Sequence, residues 1–101
     1  MIIERMEFRL KFGHAKEAID IRKKILDEFK KHKKPPKMRL LTDLTAPSYT
    51  LILELELRNM IDMGFKNYQW MTTENVAELY RQFVPLCDSS SRTLYTLEAQ
   101  S

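Results

Sequence analysis

Strict alternation of apolar and charged residues in two separate segments constrains this chain more than any other feature of its 101 residues. Over residues 2–12, Ile2, Met6, Phe8, Leu10 and Phe12 fall on one side of an extended chain, with Glu4 the exception. Ile3, Arg5, Glu7, Arg9 and Lys11 fall on the other. Residues 49–58 repeat the arrangement, with Tyr49, Leu51, Leu53, Leu55 and Leu57 against Thr50, Ile52, Glu54, Glu56 and Arg58. Neighbouring side chains of a strand point to opposite faces. A period of two therefore builds a sheet with one apolar face that must be covered and one charged face that can stay open.

The cover is written between and after these strands. Gly13-His14 breaks the first strand, and Ala15, Ala18, Ile19, Arg22, Ile25, Leu26 and Phe29 then recur at three- and four-residue spacing, with Ile21 widening the stripe. This predicts an amphipathic helix of about five turns, with Gly13 as its N-cap and Pro35-Pro36 as its stop. Met38–Leu44 reads as a second strand, joined through Thr45-Ala46-Pro47-Ser48 to the 49–58 strand as an antiparallel hairpin. Asn59–Met71 carries a helical pattern weakened by Gly64. Thr72-Thr73-Glu74 restarts a helix with Val76, Ala77, Leu79, Tyr80, Phe83 and Val84 on its apolar face, which Pro85 kinks or ends. Asp88-Ser89-Ser90-Ser91 reads as a turn and Thr93–Ala99 as a last strand.

The order is β-α-β-β-α-β in a single domain spanning residues 1–101. Right-handed crossovers on such a chain give an α+β, ferredoxin-like fold: a four-stranded antiparallel sheet of order 4-1-3-2 with both helices on one face. The first and third strands are then central neighbours, with Arg5, Glu7 and Arg9 near Glu56, Glu54 and Ile52. The open face reads as a ladder of opposite charges.

Composition narrows the functional classes. A hydrophobic share of 44% and a charged share of 31% suit a globular protein, and no apolar run approaches the roughly 20 residues of a membrane-spanning helix. The first residues lack the charged-then-apolar order of a signal peptide, and the lone Cys87 excludes an internal disulfide, so a cytoplasmic protein without membrane attachment is expected. Lys30, Lys31, Lys33, Lys34 and Lys37 form one acid-free cluster. Without them the net charge of +3 becomes −2, so the basicity is one local cluster, read as lysines at the carbonyl end of a helix, with an anion or nucleic-acid patch as the alternative. An RNA-recognition sheet would need aromatics on its open face. Here the two central strands offer arginines and carboxylates there, so nucleic acid is not an expected partner. His14 and His32 lie about 27 Å apart along a helix at 1.5 Å per residue and cannot share a metal. Glu54 and Glu56 share a face, but the neighbouring arginines point to ion pairs before acid–base catalysis.

Strand Glu4–Leu10, the loop Phe12-Gly13-His14-Ala15-Lys16-Glu17-Ala18, strand Tyr49–Glu56, the aromatic stretch around Trp70 and the ending Ser91–Glu98 together resemble the dimeric α/β-barrel superfamily. Within it, they resemble NIPSNAP-like proteins and the antibiotic-biosynthesis monooxygenases. The resemblance spans nearly the whole chain and is one of layout. It implies a homodimer closing two sheets into a barrel, with Arg5, Glu7, Arg9, Glu54 and Glu56 at the interface. It also implies a small-molecule pocket between helices and sheet, near Trp70, Tyr68, His14 and Arg39. Activities in the superfamily include cofactor-free monooxygenation, haem degradation and lactone isomerisation. The Asn and His of the haem-degrading members have no counterpart in this first strand or in Asn59–Cys87, and no cofactor is implied. Two functions follow: a small-molecule binder or cofactor-independent monooxygenase-type enzyme, and a non-catalytic dimeric module with a structural or regulatory role.

Overall fold

A computed structural model describes residues 1–31, 36–44, 49–58 and 73–101. Its elements run β1 (Ile2–Leu10), α1 (Ala15–Lys30), β2 (Lys37–Thr42), β3 (Thr50–Leu57), α2 (Glu74–Phe83), a 3₁₀ turn (Val84–Leu86) and β4 (Cys87–Thr96). The sheet order is β2-β3-β1-β4, all neighbours antiparallel, as the alternation and the crossover rule require.

Register assigns the faces. Ile2, Glu4, Met6, Phe8 and Leu10 share one side with Leu51, Leu53, Leu55 and Leu57 of β3 and with Met38 and Leu40 of β2. Against this side pack Ala18, Ile21, Ile25 and Phe29 of α1, and Val76 and Phe83 of α2, forming one core. The ring edge of Phe8 meets the Phe83 ring at 5.0 Å, tying α2 to the central strand. Burying each such aliphatic or aromatic side chain contributes on the order of 1.5–3 kcal/mol. Glu4 fits this apolar side by pairing with Arg92 of β4, Nε to Oε1 at 3.2 Å.

Several boundaries and one register differ from expectation. Arg5 lies opposite Glu54, Glu7 opposite Ile52 and Arg9 opposite Thr50, one pair away from the expected alignment. A slip of two residues keeps every side chain on its face, so alternation alone does not choose between these registers. β1 ends at Leu10 because Lys11–His14 forms a turn, closed by His14 N–H donating to the Lys11 carbonyl at 3.1 Å, in which Gly13 takes φ +82°. Phe12 is thereby turned out of the sheet and 84% exposed. His14, not Gly13, is the N-cap of α1, and its side chain makes no capping bond. Tyr49 stands outside β3 at φ +66°, where its carbonyl accepts from Leu10 N–H at 2.7 Å.

β2 stops at Thr42, two residues before the expected end. The hairpin is closed by Asp43 instead. Its Oδ1 accepts from Thr50 N–H at 2.9 Å, and its own N–H donates to the Thr50 carbonyl at 3.2 Å. The serines expected in a turn are strand. Ser89, Ser90 and Ser91 pair with Arg9, Phe8 and Glu7, because β1 needs a backbone partner along its whole length. Pro85 turns the end of α2 into the 3₁₀ turn and leaves Val84 exposed instead of on the apolar face. The helical pattern of Asn59–Met71, the Thr45–Ser48 turn and Pro35 lie outside the described residues.

Candidate functional site

Helical spacing puts Arg22 four residues after Ala18 and three before Ile25, in the middle of the stripe that α1 buries. The side chain is 1% exposed. Its guanidinium carbon lies 4.4 Å from the ring centre of Phe8, 4.3 Å from that of Phe83 and 4.7 Å from that of Tyr80. β1 contributes one ring and α2 two to an aromatic cage around a cation carried by α1. Nη1 donates to the Tyr80 hydroxyl at 3.3 Å, a long bond. Nε and Nη2 are buried and have no hydrogen-bond partner among the described residues. Among the described residues no carboxylate pairs with Arg22. Stacking on three rings offsets part of the desolvation, and the two unmade bonds remain a cost.

Cys87 belongs to the same region. It opens β4 directly after Phe83 and Leu86, and its half-buried thiol lies 3.8 Å from the Phe83 carbonyl. Burial pushes this thiol above its ordinary value, against the opposing pull of the Arg22 charge. At neutral pH Cys87 is therefore a thiol and a weak donor, not a nucleophile.

The opposite face of the sheet holds a second cluster of different construction. Arg5, Glu54 and Arg39 sit side by side across β1, β3 and β2. Arg5 donates to Glu54 Oε2 through Nε at 2.8 Å and Nη2 at 2.5 Å, while Arg39 Nη2 donates to Oε1. Glu54 is 4% exposed although it lies on the open face, because the two guanidiniums cover it. Hydrogen bonding from Arg5, opposed by burial and helped by Arg39, holds the Glu54 carboxyl below its ordinary 4.5. The Tyr95 ring of β4 completes the row, 5.5 Å from the Arg5 guanidinium carbon. Register sets Ile3 beside Tyr95 on one flank and Leu41 beside Ile52 on the other, so an ion cluster is bordered by two apolar pairs.

The residues expected at the interface therefore separate. Arg5 and Glu54 are joined. Glu7, Arg9 and Glu56 share their face, but among the described residues no ion pair reaches them. The expected pocket residues separate too. Arg39 stands on the open face with Glu54. His14 stands at the start of α1, its Nδ1 3.5 Å from the Glu17 carboxylate, and half exposed. Tyr68 and Trp70 lie outside the described residues, as does His32. Among the described residues no three His, Cys, Asp or Glu side chains gather as a metal site, and no helix is long and apolar enough to cross a membrane.

Solved structures share this architecture over most of their length. An uncharacterised NIPSNAP domain protein from Burkholderia xenovorans superposes with a TM-score of 0.82 at 12% identity, covering 98% of this chain and 96% of that one. A NIPSNAP family protein from Agrobacterium tumefaciens gives 0.80 at 11% identity, with 94% and 90% covered. A protein described as an antibiotic biosynthesis monooxygenase gives 0.72 at 12% identity, with 98% and 100% covered. The chain has their ferredoxin-like fold. No family model matches the sequence, and no curated protein does. At this level of identity the likeness establishes architecture and leaves chemistry to the residues themselves.

Arg22 was visible in the sequence as the one charged position inside an apolar stripe, where it read as part of the helix's packing face. The signal that sets it apart is that lysine or arginine at a central stripe position is almost never fully buried without a partner.

Proposed function

We propose that this chain is a small-molecule-binding protein of the helix-on-sheet type, with its ligand site in the space between α1, α2 and the sheet. The observation that supports this is Arg22, a guanidinium enclosed by aromatic walls whose Nε and Nη2 have no hydrogen-bond partner among the described residues. Fully buried charges are normally paired, and an apolar enclosure with one convergent polar group is the usual make-up of a small-ligand site. A catalytic version of this reading, a cofactor-independent oxygenase, draws support only from the monooxygenase neighbours. The free thiol of Cys87 fits a reducing, cytoplasmic setting. The test is a thermal-shift screen of small organic molecules against the full chain. Saturable stabilisation by a chemically related set supports the reading, and a flat response across the screen contradicts it.

The same proposal pairs the open face with that of a second copy in a homodimer. Four cations (Arg5, Arg9, Lys37, Arg39) face three carboxylates (Glu7, Glu54, Glu56) there, so the face is nearly neutral and does not repel its own copy. The flanking Leu41 and Tyr95 are 39% and 46% exposed, apolar area that a partner sheet would cover. Carboxylates in the row oppose a nucleic-acid phosphate at the same place. Light scattering at micromolar concentration is expected to give twice the 12.1 kDa chain mass, and the monomer mass would exclude the dimer. The open face alone also favours a second reading, a dimeric module of structural or regulatory role without a ligand. A dimer that no small molecule stabilises would select it.

A further inference from the structure

We propose that Arg22 anchors a site for the carboxylate of a small organic acid with an apolar body, gripped by the Nε–Nη2 edge of its guanidinium. This rests on the reading of the helix–sheet space as a ligand site and names the chemistry that the site takes.

The two unpartnered atoms are not an arbitrary pair. Nε–H and one N–H of Nη2 point the same way along one edge of the planar guanidinium, the fork that meets the two oxygens of a carboxylate in parallel bonds. The open face presents the same edge on a carboxylate, where Arg5 donates through Nε and Nη2 to one oxygen of Glu54 and Arg39 takes the other. In Arg22 that edge is buried and meets no hydrogen-bond partner among the described residues, while the remaining nitrogen, Nη1, is held by Tyr80. The cation is oriented, and its carboxylate-binding side is the side left free.

The surroundings select the rest of the ligand. Phe8, Phe83 and Tyr80 stand 4.3–4.7 Å from the guanidinium and offer ring surface, so the body next to the carboxylate is apolar or aromatic. A phosphate or sulfate would need donors for three or four oxygens. Beyond the fork, the described neighbourhood supplies the Tyr80 hydroxyl and the protonated Cys87 thiol, too few for a tetrahedral anion. Tyr80 and Cys87, beside the guanidinium, are each only partly buried, and the bond from Arg22 to Tyr80 is long. Filling the space alone would need only an aliphatic residue of similar size, without two unmade bonds.

The experiment titrates the full chain with benzoate and hexanoate, and with benzamide and hexanamide as neutral partners of the same shape. Melting temperature and the Nε–H proton resonance of Arg22 are followed. Both carboxylates are expected to raise the melting temperature saturably and to move the Arg22 resonance, and the amides to do neither. Arg22→Lys keeps the charge but loses the fork, and should weaken carboxylate binding about tenfold or more. Arg22→Met should remain folded and lose the response. Amides that act as well as the carboxylates would overturn the anion anchor while leaving a ligand site in place. Carboxylates that bind Arg22→Lys undiminished would overturn the fork. No response to either carboxylate would overturn the proposal outright, and the broader screen would then decide separately whether the chain binds small molecules at all.

Discussion

Two arginines on opposite faces of one sheet present the same guanidinium edge to very different surroundings. Arg5 spends its Nε–Nη2 edge on Glu54, remains partly in water and shares its carboxylate with Arg39. Arg22 lies 1% exposed among three rings with that edge empty. The first arrangement is self-sufficient and ties three strands together on a face that a second copy can cover. For the second we propose that a ligand brings the carboxylate, and for the open face that a second copy covers it.

Breaking the enclosure should have the largest effect. Phe8→Ala removes a ring that is at once core packing, the partner of Phe83 and one wall around Arg22. A loss of about 3–5 kcal/mol in urea unfolding is expected, as for other buried Phe-to-Ala changes. Less should follow from Glu54→Gln, which leaves Arg5 and Arg39 without a carboxylate although both retain some hydration. A loss of about 1–3 kcal/mol is expected, with easier dissociation of the proposed dimer.

The pH dependence of that pair has a definite sign. The folded carboxyl of Glu54 titrates below its ordinary 4.5. Its contribution is therefore fully present above that value and is lost as pH falls through the lower, folded-state value. Acid unfolding should show the gap between wild type and Glu54→Gln closing only below about pH 4.5, where the free carboxyl begins to take up protons. A gap that already closes at neutral pH would contradict the ion-pair assignment.

Glu56→Gln should have the smallest effect, within about 0.5 kcal/mol, since no ion pair among the described residues reaches it. Dissociation constants at low and high salt sharpen the same contrast. A desolvated Glu54 cluster should barely respond to salt, whereas the peripheral charges should be screened.

Much of this comparison was legible in the amino-acid order. Period-two alternation in β1 and β3 assigned every residue of the central pair to its face and, with the helix between, gave the sheet order. It could not give the register, because a two-residue slip is invisible to a two-residue period. Nor did it place Arg39, whose alternation with Met38 and Leu40 sets it on the open face, away from His14. The serine run of β4 read as a turn by composition. Its strand character comes from the backbone demand of β1, which no local pattern in residues 88–91 records. Arg22 was legible as a stripe position, but its empty edge depends on how three elements converge.

The most direct test of the contrast is the unfolding free energy of Arg5→Met against that of Arg22→Met, measured in urea at one fixed protein concentration. Arg5→Met should be less stable than wild type, because Glu54 keeps only Arg39. Arg22→Met should equal or exceed wild type, because it removes an enclosed charge with two unmade hydrogen bonds. An Arg22→Met protein that loses more stability than Arg5→Met would show that the enclosed guanidinium is already satisfied within the chain, and would contradict the account.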